Sequence, residues 1–161
     1  MLESLGKGGA LSPTAVHARR LAADIAADAA CAALGRAFIT PLDREDLWLL
    51  RQRAEGVLCA AEEVALCVYH GGVLPDCCVP LLTAVAAGCR QLEKAWERFP
   101  EADGAAPVLR TLREAEMVRH TLRHERFADM TVRRLTDSLG RVPDAGVALW
   151  ESMRYVALKN G

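Results

Sequence analysis

The sequence predicts an all-α protein, and three observations carry that expectation. Apolar residues recur at helical spacing through every long segment from Pro13 to Leu158. No run keeps the period-two alternation of a half-buried strand over five residues or more. The periodic segments are bounded by proline, glycine and short capping side chains, the punctuation of helix ends. Composition agrees: 52% of the 161 residues are hydrophobic and only 5% aromatic, with alanine and leucine supplying most of the apolar count. A chain of that length buries roughly 70% of the surface its unfolded form exposes, enough for one compact core.

Ser12-Pro13 opens the first helix. Proline at the first helical position lacks an N–H that would have no partner there, and a serine before it caps the turn that follows. Leu21, Ile25, Ala29, Ala32 and Leu34 hold the period until Thr40-Pro41, which puts this helix at about 13–37. Thr40-Pro41-Leu42-Asp43-Arg44-Glu45-Asp46 starts the second, with caps and acids where unpaired backbone N–H groups and the helix dipole favour negative charge. Its stripe, Leu47, Leu50, Ala54, Val57, Leu58, Ala61 and Ala65, lasts as far as Gly71-Gly72. Pro75 opens a third helix through Leu82, Val85, Cys89, Leu92 and Trp96, closing near Phe99-Pro100. A fourth runs from Pro107 through Leu112, Ala115 and Leu122 to about Phe127. Residues 129–139 read as a shorter helix, Gly140 as a break, and Pro143 as the first residue of a last helix through Trp150 and Leu158. Residues 1–12 are expected to form a flexible N-terminus and residues 13–161 a single domain.

Charge and cysteine content exclude several classes of function. The 20 Lys and Arg side chains balance 21 Asp and Glu, leaving a net charge of -1. There is no global positive field to hold nucleic acid or an anionic membrane surface. The charge-free stretch from Cys77 to Cys89 is shorter than the roughly 20 residues of a spanning helix, so no membrane insertion is expected. Met1 to Ser12 has Lys7 as its one cation and no long apolar run, unlike a signal peptide. Cys31, Cys59, Cys67, Cys77, Cys78 and Cys89 fall mostly on or beside apolar stripes, where a free thiol behaves as a small hydrophobe. A reducing, cytoplasmic location is the expectation. No Ser/His/Asp set or nucleotide fingerprint is present, and Gly6-Lys7-Gly8-Gly9 lacks the glycine spacing and preceding strand of a phosphate loop. The chain does not read as an enzyme.

An internal repeat shows at an offset of 89 residues. It pairs Phe38 with Phe127, Arg44 with Arg133, Leu50 with Leu139, Glu55 with Asp144 and Glu62 with Glu151. In both halves an acid follows the phenylalanine by 17 residues, and another acid stands seven further on. Positions i and i+7 share a helix face, so each half presents two carboxylates on one stripe.

The segment Phe38-Ile39-Thr40-Pro41-Leu42-Asp43-Arg44-Glu45-Asp46 closely resembles the F-I-T-P-x-D-R-E-D motif of the PhoU-like family of phosphate-transport regulators, whose members are often encoded beside Pit-type phosphate transporters. The similarity extends more loosely over about residues 13–161, through Glu62-Glu63 and the closing Ala157-Leu158-Lys159-Asn160-Gly161. The resemblance implies an elongated antiparallel helical bundle of two similar three-helix units, here about 13–99 and 107–161, with the first helix of the family missing. It also implies acid-x-x-x-acid motifs whose carboxylates, one turn apart, bind multinuclear metal clusters. These motifs fall on Arg20 and Asp24, Glu55 and Cys59, Leu112 and Glu116, and Gly140 and Asp144, so each has lost one acid. A hard cation wants several oxygens, and halving the ligand set weakens its binding sharply.

The surviving acids Asp24, Glu55, Glu116 and Asp144 head the candidate metal ligands, joined by Asp28, Glu62 and His120. Asp24-x-x-x-Asp28 is an intact pair in shifted register; its plainer reading is an exposed acid on an alanine-rich face. Glu116, His120 and His124 step by four along one helix face, the spacing by which helical zinc sites gather ligands. Against that, Arg119, Arg123, Glu125 and Arg126 crowd the same segment and suggest a solvated polar face. Cys59, beside Glu55 and Glu63, reads first as a buried structural cysteine and second as a soft ligand. The Asp43 to Asp46 cluster reads as a helix cap with Arg44 free to pair across the bundle.

The resemblance thus implies a cytoplasmic, non-enzymatic accessory protein of inorganic phosphate transport, acting by contact with a transporter or its regulatory partner. Any cofactor would be a zinc, iron or magnesium ion on degenerate acidic faces. A homodimer or higher oligomer is expected, covering the groove left by the missing helix. Two rivals stand beside this reading. One is a helical metalloprotein in which Glu116, His120 and His124 hold zinc or iron and activate water; the other is an oligomeric scaffold with no link to phosphate.

Overall fold

The structure, a computed structural model, describes residues 12–36, 42–71, 74–99, 105–124 and 129–160. They form five α-helices: α1 (Pro13–Arg36), α2 (Arg44–Gly71), α3 (Val79–Glu97), α4 (Ala105–His124) and α5 (Met130–Asn160), with one 3-10 turn, Asp76–Cys78, before α3. No strand occurs among the described residues, and no helix among them is long and apolar enough to cross a membrane. Residues 1–11, expected to be flexible, and Phe38 and Phe127, which anchor the repeat, lie outside the described residues.

Local chemistry explains where the helices start. Ser12 Oγ accepts from the Ala15 N–H at 3.2 Å, the cap that Ser12-Pro13 announces. Glu45 and Asp46 stand in the first turn of α2, where the helix dipole favours acids. Pro75, expected to open α3, is instead extended and precedes the 3-10 turn, and Pro80 takes the early helical position in which a missing N–H costs little. Asp129 Oδ1 accepts from the Thr131 N–H at 2.7 Å and begins α5.

One expectation fails. Gly140 does not break the chain and Pro143 does not begin a new helix, because α5 runs unbroken from Met130 to Asn160 with Pro143 inside it. A proline in a helix interior costs about 3 kcal/mol. Leu135, Leu139, Val142, Leu149, Trp150 and Val156 lie on both sides of it along one buried face, and each such side chain taken from water contributes roughly 1.5–3 kcal/mol. Keeping that face continuous outweighs the proline.

α3, α4 and α5 pack mutually into a three-helix unit, and α5 also lies along α2. α1 packs on α2, its one substantial neighbour among the described elements. The three-helix unit is tight. Leu112 of α4 is buried between two glycines: a Cβ on Gly88 of α3 would come within 2.7 Å of its Cδ2, and one on Gly146 of α5 within 3.2 Å. Close approach of the three backbones depends on both. Burial pushes the thiols of Cys78 and Cys89 from the ordinary value of 9.0 up to about 11, so both stay protonated at neutral pH.

Candidate functional site

The acids foreseen as ligands gather, but around arginines. Arg20 of α1 points at α2 with its side chain 16% exposed. Its Nε donates to Asp24 Oδ1 at 3.1 Å and Oδ2 at 3.3 Å, its Nη2 to Glu55 Oε1 at 2.8 Å, and its Nη1 to Cys59 Sγ at 2.6 Å. Glu62 Oε2 stands 4.0 Å from Nη1. The guanidinium is held even more firmly protonated than usual, chiefly by the bond to Cys59, then, against the opposing effect of burial, by Asp24. Spacing brought Glu55 and Glu62 to notice and the family motif brought Asp24; the cation at their centre was read only as a lost acid. Cys59 is exposed, not the buried cysteine expected.

A second arginine repeats the arrangement in the other half. Arg119 of α4 donates from Nη1 to Asp144 Oδ2 at 3.0 Å and to the Gly140 carbonyl at 3.0 Å. A Cβ at position 140 would collide with the Arg119 side chain, so the residue read as a helix break is what lets this arginine lie against α5. Arg119 had been noted only as surface charge. Glu55 and Asp144, equivalent at the 89-residue offset, each take a guanidinium from the preceding helix.

The other candidates scatter. Asp28 accepts from Arg51 Nη2 of α2 at 2.7 Å, and that arginine also lies over the Trp48 ring, 5.6 Å from its centroid. On α4, Glu116 is half-buried and His120 exposed, while the side chain of His124 lies outside the described structure. Among the described residues no group of three or more His, Cys, Asp and Glu side chains is set to hold a metal ion.

The Asp43 to Asp46 cluster does more than cap. Lys159 Nζ, at the end of α5, donates to Asp43 Oδ2 at 2.7 Å and to Asp46 Oδ2 at 3.0 Å; Asn160 Nδ2 adds a bond to Asp46 at 3.4 Å. Asp46 is only 4% exposed. The two carboxylates, Asp43 first, hold the Lys159 ammonium well above its ordinary pKa. Further along the same antiparallel seam, Glu63 accepts from Arg141 at 2.7 Å and from Ser138 at 3.3 Å. Lys159 is the cation that joins this cluster to the far end of the chain.

Beside the Arg20 cluster lies a groove of about 490 Å³, bounded by α1, α2 and the end of α3. Ala23, Ala27 and Ala30 line one wall, Leu47, Leu50 and Leu58 the floor, and Trp96 and Phe99, stacked at 6.2 Å, the other wall. Asp24, Arg51 and Glu55 supply its polar edge. Predominantly apolar lining with a few polar groups suits a surface that binds by burial. The chain matches no protein-family model, no curated protein and no solved structure.

Proposed function

We propose that this chain is a non-enzymatic accessory protein of inorganic phosphate transport, working in the cytoplasm through contact with a transporter or its regulatory partner. The reading takes the arrangement as PhoU-like, a two-helix arm, α1–α2, beside a second unit that begins at α3 and not near residue 107 as the resemblance implies, because α3 packs on α4 and α5. The observation that carries the reading is where the two segments behind the family resemblance meet. Asp43 and Asp46 of the first are bound by Lys159 and Asn160 of the second, across more than 110 positions of sequence. Segments that resemble one family and also close on each other support the reading more strongly than either segment alone.

The paired arginines favour contact over metal chemistry. A divalent ion entering the first cluster would have to displace Arg20 from Asp24 and Glu55, and its charge would be repelled by the guanidinium it approached. Measuring uptake of radiolabelled phosphate in cells lacking the gene tests the proposal. Uptake is expected to change and to be restored by the wild-type chain; unchanged uptake at both scarce and abundant phosphate would overturn it. Elemental analysis is expected to find zinc, iron and magnesium well below one ion per purified chain.

A further inference from the structure

The groove on α2 has a counterpart that the chain itself fills. At the 89-residue offset Leu47, Leu50, Ala54 and Leu58 of α2 correspond to Thr136, Leu139, Pro143 and Val147 of α5. Thr136, Leu139 and Pro143 are buried, on a helix packed by both α3 and α4. α1 stands to α2 as α4 stands to α5, each sending an arginine onto the equivalent acid. Nothing among the described elements stands to α2 as α3 stands to α5. Leu50 is buried as Leu139 is, but Leu58 is 43% exposed where Val147 is half-buried, so the groove is open at the Leu58 end of its floor.

We infer that this groove docks one amphipathic helix of a partner protein, with the apolar pattern of α3. In α3 that pattern is Leu82, Val85, Ala86 and Leu92, one buried stripe on a helix whose opposite face is polar. An aliphatic stripe of this kind fits a floor of leucines and a wall of alanines, the helix-in-groove mode of recognition. At the edge Asp24 and Glu55, half exposed even while bound to Arg20, can take a lysine or arginine beside the stripe, and Arg51, paired to Asp28, marks where such a cation would be repelled.

A second copy fits less well. A two-fold interface needs ridge and groove on one self-complementary patch. The exposed ridge of α1, Leu21 and Ile25, is two residues out of phase with Ala23 and Ala27, about 200° round the helix from the groove wall. Two copies cannot each insert that ridge into the other's groove.

The test uses the full chain and, as probe, a fluorescent peptide of this protein's own α3, residues 76–99. Fluorescence anisotropy is expected to show saturable binding, weakened about ten-fold or more by Leu58→Glu and by Ala54→Glu, and unchanged by Met117→Glu on the exposed face of α4. Circular dichroism of the variants confirms that they fold. Absence of binding, or binding indifferent to both groove substitutions, overturns the inference. If removal of residues 1–11 raises peptide affinity about ten-fold, the occupant is that segment of the same chain. If sedimentation shows a dimer that Leu58→Glu dissolves, the occupant is a second copy. Either result also overturns it. The assay involves no transport, so its outcome is independent of the phosphate reading.

Discussion

The two halves of this molecule place an acid, Glu55 or Asp144, at equivalent positions and hold it with an arginine from the preceding helix, yet they differ in what surrounds the pair. Around Asp144 the chain supplies three mutually packed helices, with Leu112 seated between Gly88 and Gly146. Around Glu55 the described elements supply α1 and α2, with α5 along another side of α2 and an apolar groove where a further helix would lie. α2 shares the common core through α5, with Val64 and Ala65 fully buried, whereas α1 lies on α2 with Val16 as its one buried side chain among those described and ion pairs along the rest. Partly exposed ion pairs contribute little, whereas each buried aliphatic side chain contributes roughly 1.5–3 kcal/mol. α1 is therefore the most weakly held of the described helices, and the groove beside it is the part available to a partner.

The largest effect that would sharpen this contrast comes from the unit. Leu112→Ala should destabilise the protein by about 3 kcal/mol, because it removes a fully buried side chain from between two glycines that cannot fill the gap. Leu58→Ala in the arm should cost under about 1 kcal/mol by urea unfolding. Equal costs would erase the distinction. Next comes the junction of the halves: Asp46→Ala removes a buried carboxylate that accepts from Lys159 and Asn160, and should cost about 1.5–3 kcal/mol, with Asp46→Asn recovering part of it.

Alkaline pH should act on the unit as well. The thiols of Cys78 and Cys89 are raised in the folded state, so their contribution is fully present below pH 9 and is lost as pH rises toward 11. At pH 10 the loss is on the order of 1 kcal/mol per thiol. Denaturant melts at pH 8 and 10 measure it, and alkylation at pH 8 should reach exposed Cys59 well before buried Cys78 or half-buried Cys89. Smallest in global stability is Arg20→Ala, expected below about 1 kcal/mol because Asp24 and Glu55 are half exposed. Its local effect should exceed that of Arg119→Ala: among the described elements α2 is the one substantial neighbour of α1, while α4 is packed by both α3 and α5.

How much of this was legible in sequence depended on how local each feature is. Ser12 before Pro13 and the acids before Leu47 act within one turn, and helices start where they point. The acid spacing was equally readable, because i and i+7 share a face whatever the fold. What spacing does not contain is the partner. Arg20 and Glu55 are separated by 35 positions and meet only because α1 folds back on α2, so the arginine looked like a lost ligand. Gly140 and Pro143 misled for a related reason. Local propensity marks them as breakers, and only the buried face of α5, continuous against three other helices, overrides it.

Hydrogen exchange followed by mass spectrometry compares the halves most directly. Amides buried at the centre of α5 should exchange only through global unfolding, while those of α1 should exchange much faster through local opening of the arm. Saturating α3 peptide should slow α1 and the first half of α2 and leave α4 unchanged. If α1 and α5 exchange together, and the peptide alters neither, the arm is not the incomplete half and the account fails.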